Sequence, residues 1–195
     1  VTISLNRFNM AEVTSVIPYA PHMSGLMDGD FHVLLDADSH ISVVSDMQVQ
    51  NMVYEHSPLG NISTELVYLQ KESDAHAIEA RLMKDDMEIG LVTGTYFNKS
   101  DGGVDARIQL ERLPLSMVNG FVPDQLFGLH GYGEGELTVK GKIKEPQVNG
   151  EIYLDSSYVE SVPYGVTLRF DNDPVRIVNS KLLLENFTVY AYNQS

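Results

Sequence analysis

The sequence predicts a mainly β protein: one elongated, curved, antiparallel-rich sheet with two short helices. Apolar and polar residues alternate with a period of two along most of the 195 residues, which is typical of strands. Clusters of Gly, Asp, Asn and Pro interrupt these runs and are typical of turns. Helical spacing of apolar residues occurs in only two short segments. The alternation gives each strand one apolar and one polar face, as in an antiparallel sheet with solvent on one side.

The first strand is predicted at the start of the chain, where Val1, Ile3 and Leu5 alternate with polar residues. The same alternation recurs in five later runs: 31–37, 78–82, 87–91, 104–110 and 166–170. A β-rich segment, "SKLLLENFTVYA", closes the series. Turns between the strands are predicted at "MDGD", "SPLG", "KDD", "KSDGG", "KEP" and "DNDP".

The segment "GELTVKGKIKEPQVNGEIYL", residues 135–154, predicts a pair of strands bent around a proline. Pro146 is expected at the start of the second strand, where its missing N–H costs least. Gly141 and Gly150 stand where apolar residues are due. We expect these two glycines to thin the apolar face and let the sheet curve.

The two helical segments are "FNMAEVTSVIPYA" and "LPLSMVNGFVPDQLFG". Each offers a turn or two of apolar residues at helical spacing before a proline ends the pattern. The two segments also align in an internal repeat with an offset of 105 residues, which matches Ile3 to Ile108, Leu5 to Leu110 and Arg7 to Arg112. We therefore expect two β-rich units, 1–105 and 106–195, packed as one continuous elongated sheet.

Composition excludes several classes of protein. The net charge of −14, with only 13 Lys and Arg, argues against binding nucleic acid or docking by charge on an anionic membrane. The chain has no Cys, and therefore no disulfide, thiolate zinc site or cysteine nucleophile. It has neither a membrane-spanning apolar stretch nor a signal peptide, and it opens in the middle of a strand pattern. We expect a segment of a longer protein, in which an anchor or signal lies elsewhere.

The sharpest polar cluster is "DGDFHVLLDADSH". On one continuous strand its acidic residues and histidines, including Asp36, Asp38 and His40, would share a face and could hold a metal. A solvated strand face between Asp-rich turns explains the same residues, and no calcium-loop spacing is present. The run "GYGEGE" is expected to be a tight turn. No catalytic motif stands out, so we expect a protein that is not an enzyme and has no cofactor.

The region 108–191 resembles the C-terminal region of TamB-like proteins, within the wider AsmA-like group. The resemblance rests on "LPLSMVNGFVP", on the run G-x-G-x-L-x-V-x-G in "GEGELTVKG", on "PQVNGEIYL" and on "VPYGVTLRFDNDPVRI". It recurs faintly over 1–70 through the repeat. The first copy departs from the pattern, because "LDADSHISV" lacks the proline of "KEPQV".

The resemblance implies a large periplasmic protein of a Gram-negative bacterium, anchored in the inner membrane by a helix outside this sequence. It implies a β-taco, a sheet rolled into a half-pipe with an apolar interior. It further implies phospholipid transport between membranes, outer-membrane protein assembly with an Omp85-type partner, or both.

On this reading, phospholipid acyl chains would bind a diffuse apolar lining, which a curled one-sided sheet can provide. The candidate lining residues are Phe31, Val33, Leu35, Leu137, Val139, Ile143, Val148, Ile152, Leu154, Val166, Leu168 and Phe170. The alternative is a β-sandwich adhesion or carbohydrate-binding module of a surface protein. It would bury the same residues in a closed core and bind through aromatic residues at loop tips, such as Tyr132, Tyr158 and Tyr164.

Overall fold

The described residues of the protein form a single β-sheet of thirteen strands. The computed structural model describes residues 1–15, 22–55, 57–71, 74–98, 102–121, 127–142, 145–170, 174–183 and 189–193. The strands are β1 (Thr2–Asn9), β2 (Met23–Leu35), β3 (Ile41–Tyr54), β4 (Ser57–Gln70), β5 (Ala75–Lys84), β6 (Met87–Phe97), β7 (Gly103–Pro114), β8 (Phe127–Lys142), β9 (Glu145–Ser161), β10 (Val166–Phe170), β11 (Val175–Val178), β12 (Lys181–Leu183) and β13 (Val189–Asn193).

Every strand from β1 to β9 pairs with the next strand in the chain, and every described pairing is antiparallel. The long strand β9 then serves two partners, since its last residues pair with β10 and its central residues pair with β11. β13 adds to β10, and β12 adds to β11. In the part of the chain that the structure describes, the sheet is open and does not close into a barrel. The predicted fold class, a mainly β protein with one antiparallel sheet, is confirmed.

The register sorts the side chains onto two faces, because directly paired residues in a ladder point to the same side. One row across the sheet is mostly apolar and runs through Ile3, Phe31, Ser45, Leu66, Ala80, Val92, Ile108, Leu137, Gly150 and Ile177. The neighbouring row is mostly charged or polar and runs through Ser4, Asp30, Asp46, Glu65, Arg81, Leu91, Gln109, Glu136, Glu151 and Arg176. We call the side of the first row the apolar face and the side of the second the polar face.

Three short helical segments are described beside the sheet: α1 (Met10–Thr14) and the 3-10 helices η1 (Leu115–Phe121) and η2 (Val162–Tyr164). α1 and η1 lie where the sequence predicts them, although residues 16–20 and 122–126 of the predicted segments lie outside the described residues. A side-chain carbon of Leu115 lies 3.3 Å from the point where Gly133 would carry a Cβ, so η1 lies on the apolar face. η1 also contacts β4, three strands beyond its neighbour β7, which requires the sheet to bend toward this face.

Three predicted turns are wrong. "MDGD" lies inside β2, "SPLG" opens β4, and "GYGEGE" lies inside β8. Glycine and proline can be placed in strands at irregular or terminal positions, and these strands are 13 to 16 residues long, well beyond the usual length. The turn at "KDD" is confirmed at Asp85 and Asp86. The "KSDGG", "KEP" and "DNDP" turns include residues outside the described part of the chain.

The segment 135–154 forms the expected pair of strands, the facing parts of β8 and β9. Pro146 is the second residue of β9, where the strand begins. Gly141 pairs with Pro146, and Gly150 pairs with Leu137, so both glycines lie on the apolar face. A small residue therefore stands opposite a large one in the Leu137–Gly150 pair.

Backbone irregularities recur at the repeat offset. The β1–β2 ladder shifts register between Leu5 and Phe8, and the β7–β8 ladder shifts between Leu110 and Leu113, which is the same place 105 residues later. Arg7 and Arg112, within these shifts, have φ angles of 48° and 46°. Positive φ is uncommon for residues other than glycine, so chance does not readily supply the match.

The next hairpin repeats in the same way. Gly29 pairs with Met47 and Gly135 pairs with Ile152, and the two glycines have φ angles of 155° and 154°. On the partner strands, Asn51 and Ser156 have φ angles of 51° and 52°. These matches support the interpretation of 1–105 and 106–195 as two related units within one sheet.

The fold buries little of its surface. The accessible area is 12676 Å², whereas a compact monomer of 21.7 kDa exposes about 9,200 Å². Among the described hydrophobic side chains, the most buried are 3% to 9% exposed: Val49, Leu59, Ile62, Ile89 and Val175. Four of these belong to β3, β4 and β6, so the densest packing lies in the middle of the sheet rather than between two layers.

Candidate functional site

The apolar face is the candidate functional site. The predicted lining residues of β2, β8 and β9 alternate along their strands and share this side of the sheet through their ladder pairs. Those residues are Phe31, Val33, Leu35, Leu137, Val139, Val148, Ile152 and Leu154. All except Leu35 are half-buried, and Leu35 is 67% exposed.

The remaining predicted lining residues are less completely placed. Val166 and Leu168 are half-buried on β10, and Leu168 pairs with Val159 of β9, which pairs with Leu129 of β8. This row is again apolar. Ile143 lies outside the described residues, and so does the side chain of Phe170, whose backbone belongs to β10.

The apolar face extends well beyond the predicted lining. β3 to β7 contribute further apolar residues in the same rows, which the alternation alone did not select as site residues: Val43, Met47, Val49, Ile62, Leu66, Ile78, Leu82, Val92, Val104, Ile108 and Leu110. An apolar surface of this breadth, only partly covered, is much larger than the scattered exposed residues of an ordinary monomer.

A polar group lies within this face near the β4–β5 turn. The Tyr68 hydroxyl lies 2.6 Å from Nδ1 of His76. The His76 ring stacks between two tyrosines, with ring centroids 5.8 Å from Tyr68 and 5.7 Å from Tyr96. Sequence reasoning missed this ladder, although alternation from Leu66, Ile78 and Val92 places all three rings on the apolar side.

The polar face carries several exposed ion pairs. Nη1 of Arg81 lies 3.1 Å from Glu65 and its Nε lies 3.0 Å from Glu88. Similar pairs join Arg107 to Glu136 at 3.3 Å, Lys140 to Asp105 at 3.2 Å and Arg176 to Glu151 at 2.9 Å. Each exposed pair adds little stability, so their main effect is to keep this side hydrated.

One part of the polar face is unlike the rest. Leu34, Val44, Val67 and Leu69 form an apolar patch there, and they are between 37% and 62% exposed. Ladder pairs place Val44 beside Val67, and Leu69 beside Ser42, the partner of Leu34. The patch belongs to the first unit only, and nothing in the described residues covers it.

The one-face arrangement of "DGDFHVLLDADSH" would require one continuous strand, which the structure does not show. β2 ends at Leu35, so Asp28, Asp30 and His32 lie on the polar face whereas the later residues lie in the turn to β3. In that turn the ligand atoms of Asp36, Asp38 and His40 lie within 4.8 Å of one another.

The Asp36 carboxylate accepts hydrogen bonds from within that turn and stabilises it. Its Oδ1 accepts backbone N–H bonds from His40 at 2.8 Å and Asp38 at 2.9 Å, and its Oδ2 lies 3.2 Å from Nδ1 of His40. These hydrogen bonds, led by the His40 backbone N–H, lower the pKa of Asp36. An exposed Asp that satisfies local backbone donors is a common way to fix a turn.

The aromatic residues of the alternative interpretation are mostly not at loop tips. Tyr132 lies within β8, where the guanidinium carbon of Arg112 lies 4.5 Å from its ring centroid. Tyr158 lies within β9 and stacks on His130 with ring centroids 4.5 Å apart. Only Tyr164, which is 79% exposed, lies between two strands, in the one-turn 3-10 helix Val162–Tyr164. The alternative also requires two packed sheets, whereas the described strands form one sheet.

Comparison with family models, curated proteins and solved structures found no match to this chain. Within the described ranges, no helix has the length and apolarity needed to cross a membrane.

Proposed function

We propose that this chain is a segment of a TamB-like periplasmic protein whose apolar face binds phospholipid acyl chains during transport between membranes. In the full-length protein, the same face would serve outer-membrane protein assembly with an Omp85-type partner, and an inner-membrane anchor would lie elsewhere in the chain. The observation that carries the proposal is an apolar face that continues across ten paired strands while most of its side chains stay partly accessible.

The physical basis is the free energy of burying hydrocarbon. Each CH₂ group that moves from water onto an apolar surface gains about 0.8 kcal/mol. A face whose rows are mostly apolar leaves acyl chains free to lie in many positions, so no single residue should be essential. The charged polar face keeps the outside hydrated, which lets a one-layer sheet remain in solution with an apolar interior.

The direct test is mass spectrometry of organic extracts from the natively purified protein. We expect co-purified phospholipid with the native sequence, little change with a single alanine substitution in the lining, and a several-fold loss with Ile152→Asp. A charge on this face must be desolvated beneath the acyl chains, which makes loading unfavourable. Unchanged lipid content in Ile152→Asp would contradict the proposal.

A matched pair of variants separates loading from folding. Leu34 and Leu35 are adjacent and similarly exposed, at 62% and 67%, but they lie on opposite faces. Leu35→Asp should lower the lipid content and Leu34→Asp should leave it unchanged, with both proteins folded by circular dichroism. Equal effects of the two variants would show that lipid binds elsewhere or adsorbs nonspecifically.

A further inference from the structure

The apolar face carries a short row of polar side chains at one border of the sheet. Gln70 is the last residue of β4, His76 is the second residue of β5, and Tyr96 lies one residue before the end of β6. Ladder pairs place Gln70 opposite His76 and His76 opposite Tyr96, so the three side chains share one side of the sheet. We call these three residues the polar row. It crosses three neighbouring strands at the strand ends that border the apolar face.

The rows next to the polar row are mostly apolar on the same three strands. The first row inward consists of Tyr68, Ile78 and Gly94, and the second consists of Leu66, Ala80 and Val92. This part of the face is therefore polar at its border and apolar inside. Such an arrangement suits an amphipathic ligand, because its hydrocarbon can lie on the inner rows while its polar end stays hydrogen-bonded at the border.

His76 is positioned to donate a hydrogen bond to a ligand. Its ring is half-buried, is held between the rings of Tyr68 and Tyr96, and has its Nδ1 2.6 Å from the Tyr68 hydroxyl. When the phenol donates this bond, an uncharged imidazole carries its proton on Nε2. None of the residues that the structure describes forms a hydrogen bond with that nitrogen. The Nε2–H group is then a donor that a ligand can use.

The other two members of the polar row offer donors as well. Oε1 of Gln70 accepts the backbone N–H of Ile41 at 3.2 Å, which orients the amide and leaves its NH₂ group to donate. The Tyr96 hydroxyl lies 3.4 Å from Oδ1 of Asn98, a long contact that a stronger acceptor can replace. Adjacent strands are about 4.8 Å apart, so the row presents donors at short intervals to a ligand that is rich in acceptor oxygens.

We propose that Gln70, His76 and Tyr96 bind the headgroup phosphate of a phospholipid whose acyl chains lie on the apolar face. The assignment rests on the function proposed above and adds the border of the face at which the headgroup lies. The oxygens of an ionised phosphodiester accept hydrogen bonds and donate none, so they complement a row of donors. Hydrogen bonds to a charged acceptor are also stronger than those between neutral groups.

The test compares three soluble probes by NMR titration of the whole chain: dihexanoyl phosphatidylglycerol, dihexanoyl glycerol and glycerol phosphate. We expect the phospholipid to shift both the His76 ring signals and the methyl signals of Leu66 and Val92. Dihexanoyl glycerol, which has the same chains but no phosphate, should shift the methyl signals and leave the His76 ring unchanged. Glycerol phosphate, which has no acyl chains, should shift neither at the same concentrations.

Three variants separate a role in binding from a role in folding. His76→Phe keeps a ring between the two tyrosines but removes both nitrogens, and should weaken phospholipid binding about fivefold, the usual effect of one hydrogen bond. It should leave dihexanoyl glycerol binding unchanged. His76→Gln retains an N–H donor and should recover part of the phospholipid affinity. His32→Phe is the matched control on the polar face, where His32 is exposed, and should change neither affinity.

The outcomes distinguish the polar row from the proposed function. Equal weakening of both lipids by His76→Phe would mean that His76 only stabilises the sheet, and would overturn the headgroup assignment. Methyl shifts with an unchanged His76 ring in the phospholipid titration would overturn that assignment alone, because lipid would still bind the apolar face. Glycerol phosphate binding as tightly as the phospholipid would assign the row to free phosphate instead. Methyl shifts with neither lipid would overturn both the assignment and the proposed function.

Discussion

The first and second units share a backbone and an apolar face but differ on the opposite side. Phe31 and Val33 have apolar counterparts in Leu137 and Val139, on strands of matching register. On the polar face, the position of Leu34 is taken by Lys140 in the second unit, and Lys140 forms an ion pair with Asp105.

The same holds on the next strand, where Val43 and Met47 correspond to Val148 and Ile152 on the apolar face. On the polar face, however, Asn149 stands where the first unit has Val44. The two units therefore retain the apolar character of one face and the positions of the backbone irregularities. The polar face varies between them, with leucine or lysine at one position and valine or asparagine at another.

The largest loss of stability is expected from substitution of the two corresponding glycines, Gly29 and Gly135. A Cβ on Gly135 would lie 2.1 Å from the carbonyl oxygen of Glu151, and one on Gly29 would lie 2.3 Å from that of Asp46. Both glycines have φ near 155°, which disfavours other residues. We expect Gly29→Ala and Gly135→Ala each to lower the free energy of unfolding by about 3 kcal/mol in urea titrations.

Gly90→Ala is the matched control on the same face. Its Cβ would make ordinary contacts, at 3.6 Å from the carbonyl oxygen of Gln109 and 3.9 Å from a Leu110 carbon. We expect it to be neutral or to stabilise by up to about 1 kcal/mol, since glycine weakens strands. If Gly135→Ala were as mild as Gly90→Ala, the close approach of β8 and β9 would not be a constraint.

The hydrogen bonds that attach the helical segments α1 and η1 to the sheet differ between the two units, and so should their contributions to stability. Asn119 of η1 accepts the N–H of Leu129 at 2.7 Å and donates to its carbonyl at 3.2 Å. Thr14 of α1 makes the second kind of bond to β2, donating from its hydroxyl to the carbonyl of Met23 at 3.1 Å, and the same hydroxyl lies 3.3 Å from the carbonyl of Met10 in its own helix. Met23 and Leu129 begin or nearly begin the corresponding strands β2 and β8.

We expect Asn119→Ala to destabilise by about 2 kcal/mol, because it leaves a partly buried N–H without its partner. Thr14→Val should cost about 1 kcal/mol, the usual net value of a single hydrogen bond. Urea titrations of both variants check the order, and Asn119→Asp, which keeps the acceptor, should recover part of the loss. A larger effect at Thr14 than at Asn119 would contradict the tether assignment.

The smallest expected difference concerns the turns that link β2 to β3 and β8 to β9. The first turn has Asp36, whereas Lys142 stands at the corresponding position of the second unit. Because the pKa of Asp36 is lowered in the folded protein, its contribution is present above the ordinary value of 3.8 and is lost as the pH falls through the lower folded value.

The amide proton shifts of Asp38 and His40 should therefore move toward random-coil values in acid, below pH 3.8. Asp36→Asn should remove this acid transition, since its amide oxygen does not titrate. An acid transition that persists in Asp36→Asn would assign it to another group.

Because alternation is a local property, the sequence predicted parts of most strands and their faces, although it predicted no strand within β3 or β4. At 104–110 the apolar residues Val104, Ile108 and Leu110 alternate with charged and polar ones, and their side of the sheet follows directly. The prediction of turns from Gly, Asp, Ser and Pro failed at Gly29 and Ser57, which lie in β2 and β4. Gly29 lies inside a strand that no short-range signal marks as 13 residues long.

Long-range contacts could not be predicted from the sequence, for a different reason. The bond from Asn119 to Leu129 depends on how η1 folds back onto β8, and the Tyr68–His76–Tyr96 ladder depends on the register of three strands. Neither distance is fixed by local pattern. The candidate face could be predicted as a set of alternating residues, but its extent across β3 to β7 required the pairing order.

The pairing order of the strands also determines how this protein should unfold. Because most contacts join a strand to its immediate neighbours, the sheet behaves as a one-dimensional lattice, in which cooperativity passes from one strand to the next. Strands at the two borders then open more readily than those in the middle, where Val49 and Ile62 are buried. A long hydrocarbon molecule lying across several strands would couple the opening of strands that are not neighbours, so its binding would itself add cooperativity.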